Sequence, residues 1–395
     1  MNILQKSLAP APANGASQHD ASWVRELGVK ARRLRQFLAF TFGALSVGIL
    51  PATAEDSALR VSTVRIPGTM KMIKAQRGAD GAIHVVGESD AGPQYVMSRD
   101  GGVTFSAPLA MVDSAARKPG LKFTVWDLAV AHDGRVHVAL GTNAWQLKLP
   151  RDEWGYFYAA LAPGAKAFTP VRNITRRPGE GFSIAAGDRG AVVATFLSGK
   201  IYTMTSRDGG ATFSEPAEPD ASWNPCKCCT TSVAYGTDGK VAMLYREETD
   251  NERDVWLALL DPSGDGKPAR TRISSTPWKI AACPMTYFTV VPSASGYIAA
   301  WPTKGQIYFA RLGKDGAVLP PGEIQTPGTN GMRTGVLALS GADGATLIAW
   351  KNNSTLGWQL YDAKGQPQGN PASEPSAGSG AAGVVLADGR FVLFP

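Results

Sequence analysis

The chain contains few histidines and few cysteines, which restricts the catalytic and metal chemistry open to it. The 395 residues include four histidines with no shared spacing, so neither a zinc site nor a histidine-based catalytic set is indicated. These are His19, His84, His132 and His137. The four cysteines, discussed below, are therefore the main candidates for a site with distinctive chemistry.

The sequence also lacks an apolar run long enough for a transmembrane helix, which needs about 20 residues. Residues 37–50 form a shorter apolar run, preceded by three arginines between residues 32 and 35 and followed by the small residues 51–54. This order is typical of a secretory signal peptide. We predict a signal peptide at residues 1–54, cleavage near Ala54, and a periplasmic or secreted protein without a membrane anchor.

Charged residues make up only 18% of the chain, and the positive charge is unevenly distributed. The formal net charge is +7, of which the predicted signal peptide carries +4 and residues 55–395 carry about +3. The basic character is thus mostly a property of the leader. We therefore predict no binding to nucleic acid.

The 44 glycines and 27 prolines, together with 44% hydrophobic residues, favour a large all-β protein with many turns. Short turns flanked by apolar runs recur every 45–57 residues, about the length of one propeller blade. The turns are Asp80-Gly81, Asp133-Gly134, Asp188-Arg189-Gly190, Asp238-Gly239, Ser295-Gly296, Asp343-Gly344 and Asp388-Gly389. They predict a single β-propeller domain at residues 55–395 with seven four-stranded antiparallel blades. The last repeat is incomplete, so residues 59–66 are expected to close the ring.

An octapeptide occurs twice, as Ser98-Arg99-Asp100-Gly101-Gly102-Val103-Thr104-Phe105 and as Ser206-Arg207-Asp208-Gly209-Gly210-Ala211-Thr212-Phe213. Each copy follows an apolar strand-like run, and its Asp and Gly-Gly suit a tight turn. The octapeptide resembles the Asp-box, or BNR, repeats of the sialidase superfamily, in which the box is a structural turn. Because sialidases have six blades, the resemblance makes six the alternative to seven.

In a propeller blade, these turns share one face, and ligands usually bind at the opposite mouth of the central channel. Two long loops are expected at that mouth, at residues 143–153 and 246–254. The first contains Trp145 and is followed by Trp154. We expect a small ligand, a glycan or a metal ion to bind there, and we expect a monomer.

The cysteines occur as Cys226-Lys227-Cys228-Cys229 and, further along, Cys283. Cys226 and Cys283 each lie 12 residues before the turn of their repeat, so contact between adjacent blades is expected. An even number of cysteines in an exported chain favours disulfides. Cys283 would pair with one cysteine of the cluster, and the other two would form a strained second bridge or remain free thiols.

The alternative for the same residues is a soft-metal site. In an extended strand Cys226 and Cys228 face the same way, and Cys283 or Met285 could complete the ligand set. Cys229 would then point away from Cys228 and is the weakest candidate. Thiolates and thioethers without nearby histidine favour Cu(I), which makes copper the expected cofactor.

Two further resemblances bear on the activity. The cysteine cluster, residues 251–255 and residues 278–284 together resemble a group of exported, sialidase-like bacterial proteins, which implies the propeller but no substrate. Arg65-Ile66-Pro67 resembles the element that opens sialidases, whose arginine helps to bind the substrate carboxylate. Arg246 and Arg333 are candidates, by position, for the other two arginines of that triad. The resemblance therefore implies an exo-α-sialidase, a glycoside hydrolase, as the alternative to a binding or metal-handling protein.

Overall fold

The computed structural model describes residues 60–113, 118–263, 266–329, 335–378 and 380–395. These residues belong to one compact unit spanning residues 51–395. The predicted signal peptide lies outside the described residues, as does Arg333. No helix within the described ranges has the length and apolar character needed to cross a bilayer.

The described chain forms seven β-sheets, which are the blades of a propeller. Strand β1 (Val61–Thr63) belongs to the last of them. Blade 1 contains β2 (Lys71–Arg77), β3 (Ile83–Ser89), β4 (Gly92–Ser98) and β5 (Leu109–Ala110). Blade 2 contains β6 (Phe123–Val130), β7 (Val136–Thr142), β8 (Phe157–Leu161) and β9 (Arg172–Asn173). Blade 3 contains β10 (Glu180–Ala186), β11 (Val192–Leu197) and β12 (Ile201–Ser206).

The remaining blades follow the same order, from the inner strand outwards. Blade 4 contains β13 (Ser232–Tyr235), β14 (Val241–Arg246), β15 (Val255–Leu260) and β16 (Ala269–Arg272). Blade 5 contains β17 (Thr289–Ser293), β18 (Gly296–Thr303), β19 (Gln306–Gly313) and β20 (Ile324–Thr329). Blade 6 contains β21 (Val336–Ser340), β22 (Thr346–Asn352), β23 (Thr355–Tyr361) and β24 (Pro367–Pro375). Blade 7 contains β25 (Ala382–Val385), β26 (Phe391–Phe394) and β1. A 3-10 turn at Arg151–Glu153 lies between β7 and β8.

The seven blades are arranged in a closed ring. The inner strands contact one another in the order β2, β6, β10, β13, β17, β21, β25 and back to β2. The ring closes because β1 pairs in parallel with β26, with Val61 opposite Phe391. The predicted seven-bladed propeller and its closure by the N-terminal strand are confirmed. The structure adds that blades 3 and 7 have three strands each within the described residues.

The predicted turns join the inner strand of each blade to its second strand. In the first, Asp80 accepts a hydrogen bond from the backbone N–H of Ala82 at 3.0 Å, and Gly81 has a positive φ of 85°. The same pattern recurs around the ring, for example where Asp133 accepts from the N–H of Arg135. The Asp caps the turn and the Gly takes the left-handed backbone conformation, so the sequence pattern has a direct structural cause.

Both octapeptides form turns at the ends of third strands, after β4 and after β12. In the first, the Thr104 hydroxyl donates to Asp100 at 2.6 Å, and the Ser98 hydroxyl donates to the same carboxylate at 2.8 Å. These hydrogen bonds, that from Thr104 above all, lower the pKa of Asp100 to about 2. Phe105 folds back and packs edge-on against Phe394 of blade 7. The predicted role as a structural turn thus agrees with the geometry.

Two of the histidines share a spacing that the sequence analysis missed. His84 and His137 each lie three residues after the turn glycine of their blade, on second strands β3 and β7. Each side chain is buried and lies 2.7 Å from the hydroxyl of a tyrosine on the third strand, Tyr95 and Tyr158 respectively. Burial lowers the pKa of His137 to about 4, so this histidine is neutral at pH 7. The pairs are structural and do not form a metal site.

Candidate functional site

The four cysteines form one sulfur cluster between blades 4 and 5, in the segments that precede β13 and β17. Cys228 and Cys283 form a disulfide with their Cα atoms 6.1 Å apart and a sequence separation of 55. In the chain-entropy account, a loop of this length stabilises the folded protein by about 4 kcal/mol. The disulfide therefore links two blades whose contact was predicted from the sequence, although the partner of Cys283 was left open there.

Cys226 and Cys229 are free thiols, and both are buried. Their sulfur atoms lie 3.2 Å apart, and the sulfur of Cys226 lies 3.6 Å from that of Cys228. The prediction that Cys229 points away from its neighbours assumed an extended strand. The chain instead turns at residues 227–228, which brings Cys229 next to Cys226. The backbone N–H of Cys226 donates to the carbonyl of Arg246 at 2.8 Å and so fixes this turn against β14.

Two arginines surround the thiol pair with positive charge. Arg253 donates from its guanidinium to the sulfur of Cys226 at 3.0 Å. Arg246 is only 1% exposed, donates to the backbone carbonyls of Arg253 and Pro302, and lies over the ring of Trp278 at 4.9 Å. A buried guanidinium needs such acceptors, because an unpaired buried charge is strongly unfavourable.

This environment separates the pKa values of the two thiols. Burial alone would raise the pKa of Cys229, but its hydrogen bond with Cys226, the positive charge of Arg246 and a contact with Thr286 together lower it to about 6. The hydrogen bond with Cys229, together with burial, raises the pKa of Cys226. At pH 7 the pair therefore shares a single proton and carries one negative charge.

The cysteines differ in their ability to act as metal ligands. Within the described residues, Cys226, Cys228 and Cys229 form the group whose ligand atoms lie close enough to share a metal ion, all within 4.8 Å of one another. With the disulfide formed, Cys228 and Cys283 offer no thiolate, so Cys226 and Cys229 remain as the thiolate donors. Met285 follows two residues after Cys283, is half-buried and has a positive φ of 46°.

The candidate substrate-binding arginines do not form a triad among the described residues. Arg65 is exposed at the edge of blade 6, where it donates to the carbonyl of Pro375 at 3.1 Å. Arg246 is buried between blades 4 and 5, and its guanidinium already donates to backbone carbonyls. Arg246 is therefore not available to an incoming carboxylate.

In six of the seven blades, the inner-strand residue seven positions before the turn glycine lines the central channel. These residues are Lys74, Asp127, Ser183, Ser232, Thr289 and Leu337, and in blade 7 Gly380 and Ala381 line the channel instead. The polar members connect neighbouring blades: Ser183 accepts from the backbone N–H of Val233 at 3.2 Å, and Ser232 accepts from that of Val290 at 3.1 Å. One side of the channel is therefore polar and the other, at blades 6 and 7, is apolar.

Asp127 is the most highly connected group of the channel wall. It is 3% exposed, forms an ion pair with Lys74, and accepts hydrogen bonds from the Ser183 hydroxyl at 2.8 Å and the Ile184 N–H at 2.9 Å. Lys74 and Asp127 also line a cavity of about 350 Å³ in the channel. Thr230 and Tyr287, which lie close in sequence to the cysteines, line this cavity, whereas the cysteines themselves lie behind the wall.

No protein-family model matches the chain, and no curated protein matches it. Among solved structures, an inactive virginiamycin B lyase from Staphylococcus aureus is 13% identical over 78% of this chain and 90% of its own, with a TM-score of 0.46. An ulvan lyase is 11% identical over 81% of this chain and 88% of its own, with a TM-score of 0.49. YCF48 from Cyanidioschyzon merolae is 14% identical over 81% and 90%, with a TM-score of 0.42. Similarities at this level assign no function to the chain.

The sequence predicted the cysteine cluster but missed the residues that determine its chemistry and that of the channel. Arg253 and Thr286 contact the thiols. Arg253 lies in the 251–255 stretch of the resemblance but had no predicted role, and no motif marked Thr286. Lys74 and Asp127 could have been found, since both stand seven residues before a turn glycine in neighbouring repeats. That register identifies channel-facing positions once the blade period is known.

Proposed function

We propose that this protein is an exported β-propeller that binds Cu(I) through the paired thiols of Cys226 and Cys229. The observation that carries the proposal is the 3.2 Å separation of two buried sulfur atoms, one of which has a pKa lowered to about 6. Soft thiolate ligands select Cu(I) over hard cations. Because the pair already lacks one of its two protons at pH 7, binding of Cu(I) by two thiolates releases only the remaining proton to solvent.

The surrounding charge favours a monovalent ion. Two thiolates and one Cu(I) ion carry a net charge of −1, which Arg246 and Arg253 can compensate across the short distances to the sulfur atoms. Among the described residues, Arg65 and Arg246 do not come together, so this geometry favours the metal-handling hypothesis over the exo-α-sialidase alternative.

The cellular location belongs to the same proposal. Disulfides persist in oxidising compartments, so a bridge between Cys228 and Cys283 supports export to the periplasm or beyond. The signal-peptide pattern at residues 1–54 supports it independently. The protein would act there as a monomer that binds the metal ion without a membrane anchor.

Copper retention by two double variants tests the proposal. Protein loaded with Cu(I) in ascorbate, which keeps copper reduced but leaves disulfides intact, and then desalted should retain about one equivalent. The variant Cys226→Ser with Cys229→Ser should retain less than about a tenth of that. Cys228→Ser with Cys283→Ser is the matched control, since it also removes two sulfurs but leaves the thiol pair, and should retain about one equivalent.

The pH dependence follows from the same site. Cys229 becomes protonated as the pH falls below about 6, so copper retention should decrease between pH 7 and pH 5.

Equal copper content in the wild type and in the Cys226→Ser, Cys229→Ser variant, measured by elemental analysis, would overturn the proposal.

A further inference from the structure

A second cavity opens beside the channel mouth, between blades 2 and 3. It has a volume of about 640 Å³ and shares Thr124, Trp126 and Phe182 with the channel cavity, so the two cavities adjoin. The loop between β7 and β8 contributes the largest part of its wall, and the segment leading into β10 and the turn after β11 contribute further residues. The long loop expected at this mouth from the sequence therefore has a cavity beside it.

Aromatic rings form the wall where the two cavities meet. Trp126 packs edge-on against Phe182 on one side and against Tyr287 on the other, with ring centroids 5.4 Å and 6.3 Å apart. Gly141 makes this position possible, because a Cβ there would lie 2.4 Å from the indole nitrogen of Trp126. The indole thus occupies space that only a glycine at this place on β7 leaves open.

The outer wall carries an exposed tryptophan on a well-braced loop. Trp145 is 60% exposed, which is unusual for so large an apolar ring. Its neighbour Asn143 accepts a hydrogen bond from the Lys122 N–H at 2.7 Å and donates to the Gly120 carbonyl at 3.2 Å. At the other end of the loop, the indole of Trp154 donates to the Leu149 carbonyl at 2.9 Å. The loop is fixed at both ends, so Trp145 is held as a preformed apolar surface.

The charges on the wall limit the ligand. Four charged residues line the two cavities: Lys74, Asp127, Glu88 and Glu180. Lys74 forms an ion pair with Asp127, and the other two are carboxyl groups. Burial raises the pKa of Glu88, and the positive charge of Lys71 lowers it by a smaller amount. Among the described residues, no arginine lines either cavity. A carboxylate or sulfate ligand would therefore find no cationic side chain that is free to bind it.

We propose that the cavity between blades 2 and 3 binds an uncharged oligosaccharide. A sugar ring has a C–H face that packs on an indole and a rim of hydroxyls that hydrogen-bond to side chains, and the wall offers both. Trp145 supplies the flat apolar surface, while Thr142, Gln146 and Ser198 supply polar groups around it.

A glycan array with neutral, sialylated, uronic-acid and amino-sugar oligosaccharides tests this proposal. The wild-type protein should bind one or more neutral oligosaccharides, and the dissociation constant of the best of these should rise at least about tenfold in Trp145→Ala. Leu147→Ala is the matched control, since it removes a partly exposed apolar side chain from the same loop outside the cavity wall. Its affinity should stay within about twofold of the wild type.

Several results would overturn the proposal. These are the absence of binding to every neutral oligosaccharide, a preference for acidic or amino-sugar ligands, and equal binding by Trp145→Ala. A wild-type dimer that dissociates in Trp145→Ala, measured by light scattering, would show that a second copy covers the surface instead. The Cys226→Ser, Cys229→Ser variant should bind the oligosaccharide unchanged, so this proposal and the copper proposal can fail separately.

Discussion

Replacing Arg246 with methionine is expected to lower the free energy of unfolding by about 2–4 kcal/mol. The guanidinium is buried and donates to the carbonyls of Arg253 and Pro302, so its loss leaves two buried acceptors without a partner. Each buried acceptor left without a hydrogen bond costs about 1–3 kcal/mol. Methionine, unlike arginine, buries no charge, and this offsets part of that cost.

The same substitution should change the chemistry of the thiol pair. Because the charge of Arg246 lowers the pKa of Cys229, the Arg246→Met variant should titrate Cys229 at a higher pH than the wild type. The ultraviolet absorbance of the thiolate, followed from pH 4 to pH 9, measures this without requiring access to the buried sulfur.

Two further variants separate charge from packing. Arg246→Lys keeps the positive charge and should keep the low pKa of Cys229 even if stability falls. Arg270→Met removes an arginine of the same blade that pairs with Glu247 and Tyr245 and has no contact with the cysteines. It should leave the thiolate titration unchanged. An unaltered titration in Arg246→Met would show that Arg246 does not set the pKa of Cys229.

A chain that begins at residue 67 is expected to lose the closure of the ring. Val61 packs against the core of blades 6 and 7, and Val64 and Ile66 pack against that of blades 1 and 7. Complete burial of such a side chain contributes about 1.5–3 kcal/mol, and since two of the three are only partly buried we expect a loss of about 4 kcal/mol. The deletion also exposes the edge of β26, which pairs with β1.

Thermal unfolding measures the effect of this deletion. The shortened chain should unfold about 6 °C below a control that begins at residue 55, with both chains produced behind the same cleavable leader. It should also aggregate at lower protein concentration because of its unpaired edge. Equal midpoints for the two chains would mean that blade 7 is stable with two strands, and that β1 is not needed to close the ring.

The fold could be predicted because each blade repeats a local signal. An Asp-Gly pair determines a turn by its own backbone and side-chain preferences. Five such pairs and two related turns, spaced 45–57 residues apart, specify seven blades. The closure by β1 could be predicted because the last repeat contains only two strands, so a further strand had to come from the residues before the first blade. These inferences require no knowledge of which distant side chains meet.

The details of the candidate sites could not be predicted in the same way. The turn at residues 227–228 depends on the hydrogen bond between Cys226 and the end of β14, a contact between segments 20 residues apart. The pKa of Cys229 depends on Arg246, whose burial results from the packing of two blades. Trp126 carried no local signal, since its exposure to the channel depends on Gly141 of the next strand. Such properties arise from tertiary packing.

The state of the four cysteines, in protein exported to the periplasm of an expression host and purified without reductant, tests the central claim most directly. Denaturation in the presence of an alkylating reagent, followed by peptide mass mapping, distinguishes free thiols from disulfides. The structure predicts alkylation of Cys226 and Cys229, and one disulfide-linked peptide pair joining Cys228 to Cys283. A bridge between Cys226 and Cys229, or alkylation of all four residues, would contradict the account.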